Sequence, residues 1–176
     1  MNLPNLFTLL RLLLAPFVAY AIVAGHYAQA IALLVAAGVT DFADGYLARR
    51  MQETTSVGAY FDPIADKILL SVVYVSLGWV HDIAWWIVVL VFGRDILILL
   101  MALFGLLFTA HRKFPPSIWG KISTCLQIAA ALVILTARAG VPSPVETATW
   151  AMVAGTAWSG LHYIWRGISL LRANTD

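Results

Sequence analysis

The sequence has little charge and almost no cysteine. Of its 176 residues, 11% are Asp, Glu, Lys or Arg, against about 25% in a soluble domain. The mean hydropathy is +0.86. Composition therefore excludes an ordinary water-soluble domain and leaves a polytopic membrane protein. The single cysteine, Cys125, excludes an internal disulfide framework and sits in an apolar run where packing is its expected role. A formal net charge of +2 is too small to point to nucleic acid. "MNLPNLFTLLRLLL" lacks a basic n-region and a small-residue cleavage site, so the first apolar stretch is expected to stay as a helix. No linker, low-complexity segment or repeat interrupts residues 1–176, which read as a single membrane domain.

What is present is long apolar runs. Crossing the hydrocarbon core takes about 20 mostly apolar helical residues. Six stretches qualify: Leu3 to Ala24, Tyr27 to Ala48, Val57 to Val80, Ile83 to Thr109, Ser117 to Ala137 and Val145 to Leu171. Their length and uniform apolarity suit helices rather than barrel strands. The fold class expected is all-α, with six transmembrane helices.

The connections alternate in charge. "GHYAQ", "HD" and "AGVPSPVE" are nearly free of Lys and Arg, whereas "RRMQETTS", "AHRKFPPS" and "LLRANTD" carry Arg49, Arg50, Arg112, Lys113 and Arg172. The positive-inside rule places the second group, and with it both termini, in the cytoplasm. Arg138 is the one cation on the other side. Trp79, Trp85, Trp86 and Trp150 are expected at the outer interface, and Trp119 and Trp165 near the inner one.

Four of the nine acidic residues, Asp41, Asp44, Asp62 and Asp66, fall within a 26-residue window around the first charged connection. At about 100° per residue, Asp41, Asp44, Gly45, Ala48 and Arg49 share one face of the second helix, and Gly58, Asp62 and Asp66 share one of the third. Gly45, Ala48, Gly58 and Ala59 are small enough for close helix approach. An uncompensated Asp at mid-helix costs about 2.5–3.5 kcal/mol in lipid, so four would cost on the order of 10 kcal/mol at the bilayer centre. Arg49, Arg50 and Lys67 are a poor match for four converging carboxylates, whereas two divalent metals fit the charge. Hard oxygen donors suit Mg2+ or Mn2+, and the window offers no His or Cys for zinc. Two other readings compete. The carboxylates could simply pair with Arg and Lys to join helices, or they could line a divalent cation transporter. The transporter is disfavoured because the cluster lies at one membrane face and the chain is short for two inverted repeats.

The pattern Asp41-x-x-Asp44-Gly45-x-x-Ala48-Arg49, eight residues, Gly58-x-x-x-Asp62-x-x-x-Asp66 resembles the full signature of the CDP-alcohol phosphotransferases. That resemblance implies a six-helix membrane core and transfer of a phosphoalcohol from a CDP-linked donor to an acceptor hydroxyl, with release of CMP. It also implies that Asp41, Asp44, Asp62 and Asp66 hold two divalent cations and that Asp66 is the general base. Asp44, Gly45, Arg49 and Gly58 would then bind the cytidine diphosphate, at the cytoplasmic face of a plasma membrane protein. A homodimer is the family's usual form. "NLPNLFTLLR" resembles the start of bacterial phosphatidylglycerophosphate synthases and the related cardiolipin synthases. Asn5, Thr8 and Arg11 recur on one helix face there and could border the nucleotide or acceptor; the alternative is an interfacial helix with Arg11 reaching the headgroups.

For the acceptor, Arg94 and Lys121 are candidates to hold a phosphate, because an Arg inside a span is costly without an anion. Arg94 pairing with a motif carboxylate or a helix terminus is the competing expectation. "GKISTCLQ" resembles the glycerophosphate-using branch, whereas Arg94-Asp95 in "GRDILIL" is closer to eukaryote-type cardiolipin synthases. The expected substrates are CDP-diacylglycerol with glycerol 3-phosphate, the alternative acceptor being phosphatidylglycerol. Intramembrane prenyltransferases use other Asp spacings on longer chains. A protease reading of Ser159 and His162 lacks an oxyanion signature.

Overall fold

The computed structural model describes the backbone of residues 3–51, 58–108 and 117–173, and the side chains of 10–40, 67–101 and 117–169. Among these residues there are six helices and no strand. They are α1 (Leu3–Val23), α2 (Tyr27–Met51), α3 (Gly58–Trp79), α4 (Trp85–Phe108), α5 (Ile118–Arg138) and α6 (Val145–Ala173). Each covers one of the six apolar stretches, with ends shifted by a few residues.

Local chemistry sets the helix ends. After α1 the Gly25 amide donates to Ile22 (3.1 Å) and the His26 amide to Ala21 (2.8 Å). After α3 the His81 amide donates to Gly78 (3.2 Å) and that of Asp82 to Leu77 (2.9 Å). After α5 the Gly140 amide donates to Ala137 (3.0 Å) and that of Val141 to Thr136 (3.2 Å). All three are Schellman caps, which need a left-handed residue just past the helix. Gly25 (φ 76°) and Gly140 (φ 94°) supply it without a Cβ penalty, whereas His81 (φ 61°) carries one. Ser117 caps the start of α5, its Oγ accepting the Trp119 amide at 3.1 Å. Glu146 in the first turn of α6 complements the helix dipole.

The chain divides into two compact units, Met1–Ile83 with Ile134–Ser143, and Ala84–Val133 with Pro144–Asp176. In the first, α1 packs on both α2 and α3. Val18, Ala21 and Ile22 of α1, Ala30, Leu34 and Ala37 of α2, and Leu70, Val73 and Leu77 of α3 are buried. The alanines permit close backbone approach. Asp82, beyond α3, ion-pairs with Arg138 at the end of α5, whose guanidinium lies 5.8 Å over the Tyr27 ring.

In the second unit α4 packs on α6. Its buried residues mix apolar Ile87, Val91, Ala131 and Met152 with polar Arg94, Ser123, Gln127, Thr156 and Ser159. Large apolar side chains are also exposed among the described residues. Phe17, Tyr20, Val89, Leu161 and Trp165 are each at least 61% exposed. Among the described residues one helix, Ile118–Arg138, is long and apolar enough to cross a membrane, and its apolar window has a mean hydropathy of 1.7.

Candidate active site

The acidic motif lies on two helices of the first unit. Asp41, Asp44, Gly45 and Arg49 fall in α2, and Gly58, Asp62 and Asp66 in α3. Their side chains lie outside the described residues, but both helices run unbroken through them, so helical register can be followed. The buried stripe of α2 is Ala30, Leu34, Ala37. Its continuation at steps of three and four passes through Asp41, Asp44 and Ala48, all within about 40° of Ala30 at 100° per residue. In α3 the buried stripe Leu77, Val73, Leu69 runs back through Asp66 and Asp62 in the same way. Each carboxylate pair therefore shares a register position with the core stripe of its own helix. Both helices pack on α1.

The same unit buries two cations. Arg11 of α1 is 4% exposed, and the ammonium of Lys67, next in sequence to Asp66, is shielded from solvent. Burying a cation without an anionic environment is costly. Arg11 is thus turned into the molecule and is not a side chain spread over its surface. Asn5 and Thr8 lie in α1 with it, their side chains outside the described residues.

Arg94 and Lys121 belong to the second unit, on α4 and α5. Arg94 is buried, and its bonds are specific. Nη1 meets Asp95 Oδ1 at 2.6 Å, Nη2 donates to the Gly120 carbonyl at 2.8 Å and to Ser159 Oγ at 3.2 Å, and Nε donates to Ser159 Oγ at 3.4 Å. Gly120 sits at this close approach, where a side chain would be tight. A Cβ there would stand 3.0 Å from the Tyr163 hydroxyl and 3.3 Å from Arg94 Nη2. The Tyr163 hydroxyl accepts the Ser117 amide at 2.9 Å. Lys121, the next residue after Gly120, is exposed.

Below this lies a second polar group. Ser123 Oγ donates to Thr156 Oγ1 at 3.3 Å and Gln127 Nε2 donates to it at 3.1 Å. Thr156 Oγ1 in turn lies 3.7 Å from Met152 Sδ. Thr124 Oγ1 bonds back to the Gly120 carbonyl at 3.1 Å. Ser159 accepts from Arg94, and among the described residues no hydrogen bond joins it to His162, whose ring instead lies edge-on to Tyr163 with centroids 6.2 Å apart. That is not a nucleophile paired with a base.

Ser123, Thr156 and Tyr163 were not singled out by sequence reasoning. The available signal was the spacing Met152, Thr156, Ser159, Tyr163, which keeps one face of α6 at i, i+4, i+7 and i+11.

The CDP-alcohol phosphatidyltransferase family profile matches residues 1–161. The chain is 36% identical over 131 residues, 70% of each chain, to the CDP-diacylglycerol–glycerol-3-phosphate 3-phosphatidyltransferase of Aquifex aeolicus. It is 32% identical over 178 residues to a probable phosphatidylglycerophosphate synthase of Mycobacterium tuberculosis, covering 95% of this chain and 82% of that one. A probable cardiolipin synthase (CMP-forming) of Drosophila melanogaster is 36% identical over 100 residues, covering 56% of this chain and 31% of its own. The chain belongs to the CDP-alcohol phosphatidyltransferase family.

Proposed function

We propose that this protein is an integral-membrane phospholipid synthase that transfers the phosphatidyl group of CDP-diacylglycerol to glycerol 3-phosphate, releasing CMP and forming phosphatidylglycerophosphate. The observation that carries the reading is register. The core stripes of α2 and α3 lead into two Asp pairs in one compact unit, as a site built from both helices requires. Burial of Arg11 and the Lys67 ammonium in that unit supports an anion-rich interior.

The donor set is four carboxylates, which fits hard divalent cations. Two Mg2+ or Mn2+ ions held by Asp41, Asp44, Asp62 and Asp66 would offset the charge of the pyrophosphate and of the departing CMP. The acceptor hydroxyl oxygen attacks the phosphorus nearer the lipid, the bond from that phosphorus to the CMP oxygen breaks, and Asp66 takes the hydroxyl proton. Arg49 clamps the phosphates. Gly45 and Gly58 let the nucleotide approach the backbone, and Asn5 and Thr8 border it from α1. Arg94, Lys121 and Arg11 are the cations available to the acceptor's phosphate.

The membrane setting is supported by polarity. Large apolar side chains and the rings of Trp79, Trp85, Trp86 and Trp150 are exposed while Arg94, Gln127, Thr156 and Ser159 are buried, which an apolar surrounding would favour. We read six spans in the inner membrane, both termini and the site on the cytoplasmic side, and a homodimer.

The second reading is a cardiolipin synthase with phosphatidylglycerol as acceptor. Relatives of that name and the Arg94-Asp95 pair favour it. The fuller coverage of the glycerophosphate-type relatives favours glycerol 3-phosphate. Presenting glycerol 3-phosphate, phosphatidylglycerol, serine and inositol phosphate separately, with CDP-diacylglycerol, and identifying the lipid product by mass spectrometry tests this. Phosphatidylglycerophosphate is expected; cardiolipin as the main product would transfer the assignment to the second reading. Metal flux in liposomes without CMP release would favour the transporter.

A further inference from the structure

We infer that Arg11 is the built-in counter-ion of the acidic cluster: it compensates the carboxylates when no metal is bound and competes with the metals for them. This rests on the metal-dependent site proposed above and gives Arg11 a role apart from the acceptor's phosphate.

Arg11 lies on the inward face of α1. Ala15, Val18 and Ile22 fall within about 40° of it at 100° per residue, and all four are buried. Leu10, Leu12 and Leu13 beside it are exposed. The helix packs on both α2 and α3, whose own buried stripes lead into Asp41 and Asp44 and into Asp66 and Asp62.

Depth along the helices brings the same residues together. The tight turn through Gly25 sets the end of α1 level with the start of α2. Asp82, just past α3, ion-pairs with Arg138, whose guanidinium lies over the Tyr27 ring, so α3 ends near that level too. All of these residues belong to the first unit. From the common level, Arg11 is 12 residues back from Val23, Asp41 is 14 on from Tyr27, and Asp66 is 13 back from Trp79. At about 1.5 Å per residue, the three backbone positions lie roughly 18, 21 and 20 Å down their helices. A helical side chain leans towards its helix N-terminus, which for Arg11 is the end that holds the motif.

Charge then decides the role. A guanidinium in a low-dielectric interior needs an anion, and clustered carboxylates there need cations. Arg cannot shed its proton to relieve the demand. Two divalent ions bring their charge to the same carboxylates, so Arg11 and the metals are alternative partners. The fixed charge of Arg11 therefore steadies the metal-free fold and weakens the hold on metal. Lys67 is the poorer match, since it lies about 100° round α3 from Asp66.

The test uses the full-length protein in detergent, without substrate. Mn2+ alone is the probe. Chelator-treated protein is titrated with it and free Mn2+ is read by electron paramagnetic resonance. Thermal unfolding is recorded with chelator and with saturating Mn2+. Arg11→Gln should bind Mn2+ about 10-fold more tightly than the wild type, the scale of one buried charge-assisted bond. Its unfolding temperature should fall by roughly 3–6 °C in chelator and by clearly less with Mn2+. Arg11→Lys, which keeps the charge, should return both towards wild type. Arg11→Gln that folds only with Mn2+ would be the same result in stronger form. Unchanged Mn2+ affinity in Arg11→Gln, with equal destabilisation in both conditions, would overturn the counter-ion. So would a raised acceptor KM as the only effect. Wild-type protein that binds no Mn2+, or binds it equally well after Asp62→Asn, contradicts the metal-dependent reading itself and the inference with it.

Discussion

Two single residues make separate demands. Asp66 is assigned the proton of the acceptor hydroxyl. Replacing it by Asn removes the base while keeping the side chain's size, so turnover should fall by at least about 100-fold. Binding of CDP-diacylglycerol, measured on the same preparation, should be largely kept; an active Asp66→Asn enzyme would remove the residue from that role. His81 is a test of stability alone. It fills a left-handed cap position that α1 and α5 give to glycine, at a cost of about 1–2 kcal/mol for a Cβ. His81→Gly relieves this but adds freedom to the unfolded chain. A net gain of about 0.5–1 kcal/mol is expected from unfolding in detergent. At this scale the sequence was readable for Asp66, because its spacing from three other Asp residues is unusual in an apolar chain. His81 was not, since the strain depends on a backbone angle that no local residue pattern announces.

At the scale of elements, α5 and α6 are joined by polar contacts in an otherwise apolar setting. Thr156 is the hub, accepting from Ser123 and Gln127. Thr156→Val keeps the shape and removes the oxygen that accepts from both Ser123 and Gln127. It should destabilise the protein by about 0.6–2 kcal/mol, the range from the average helix–helix hydrogen bond in membranes upward. Thr156→Val combined with Gln127→Leu should lose less than the sum of the two single variants, since both partners of one hydrogen bond are removed together. A double-mutant cycle on thermal unfolding checks the pair, and strict additivity would deny the contact. Helix positions were legible from hydropathy because each apolar run is long and bounded by polar connections. The pairing of Arg94 with Gly120 and Ser159 was not. Isolated Ser and Thr residues in an apolar run look alike whether they face lipid or a neighbouring helix, and only the packed helices tell which.

At the scale of the whole molecule, many bulky apolar side chains among the described residues are exposed, while an apolar interior also takes in Arg94, Gln127, Thr156 and Ser159. The six spans and cytoplasmic termini proposed above make a specific prediction about access. In a Cys125→Ser background, a cysteine introduced at Lys113 should react with an impermeant thiol reagent only from the cytoplasmic side, and one at Ser143 only from the other. Reaction of both from one side would contradict the topology. The long apolar runs foretold the six helices and the motif foretold the family. How the chain divides into two compact units could not be read in advance, because one boundary falls inside the continuous apolar run of α5.

The central claim is that the four Asp residues of α2 and α3 serve one metal-dependent transfer. The most direct measurement is CMP release by the purified, chelator-treated protein given CDP-diacylglycerol and glycerol 3-phosphate, with Mg2+ or Mn2+ titrated back. The account predicts no release without metal, saturable recovery with either ion, and no recovery in Asp62→Asn. CMP release that persists after chelation, or that survives Asp62→Asn, would contradict it.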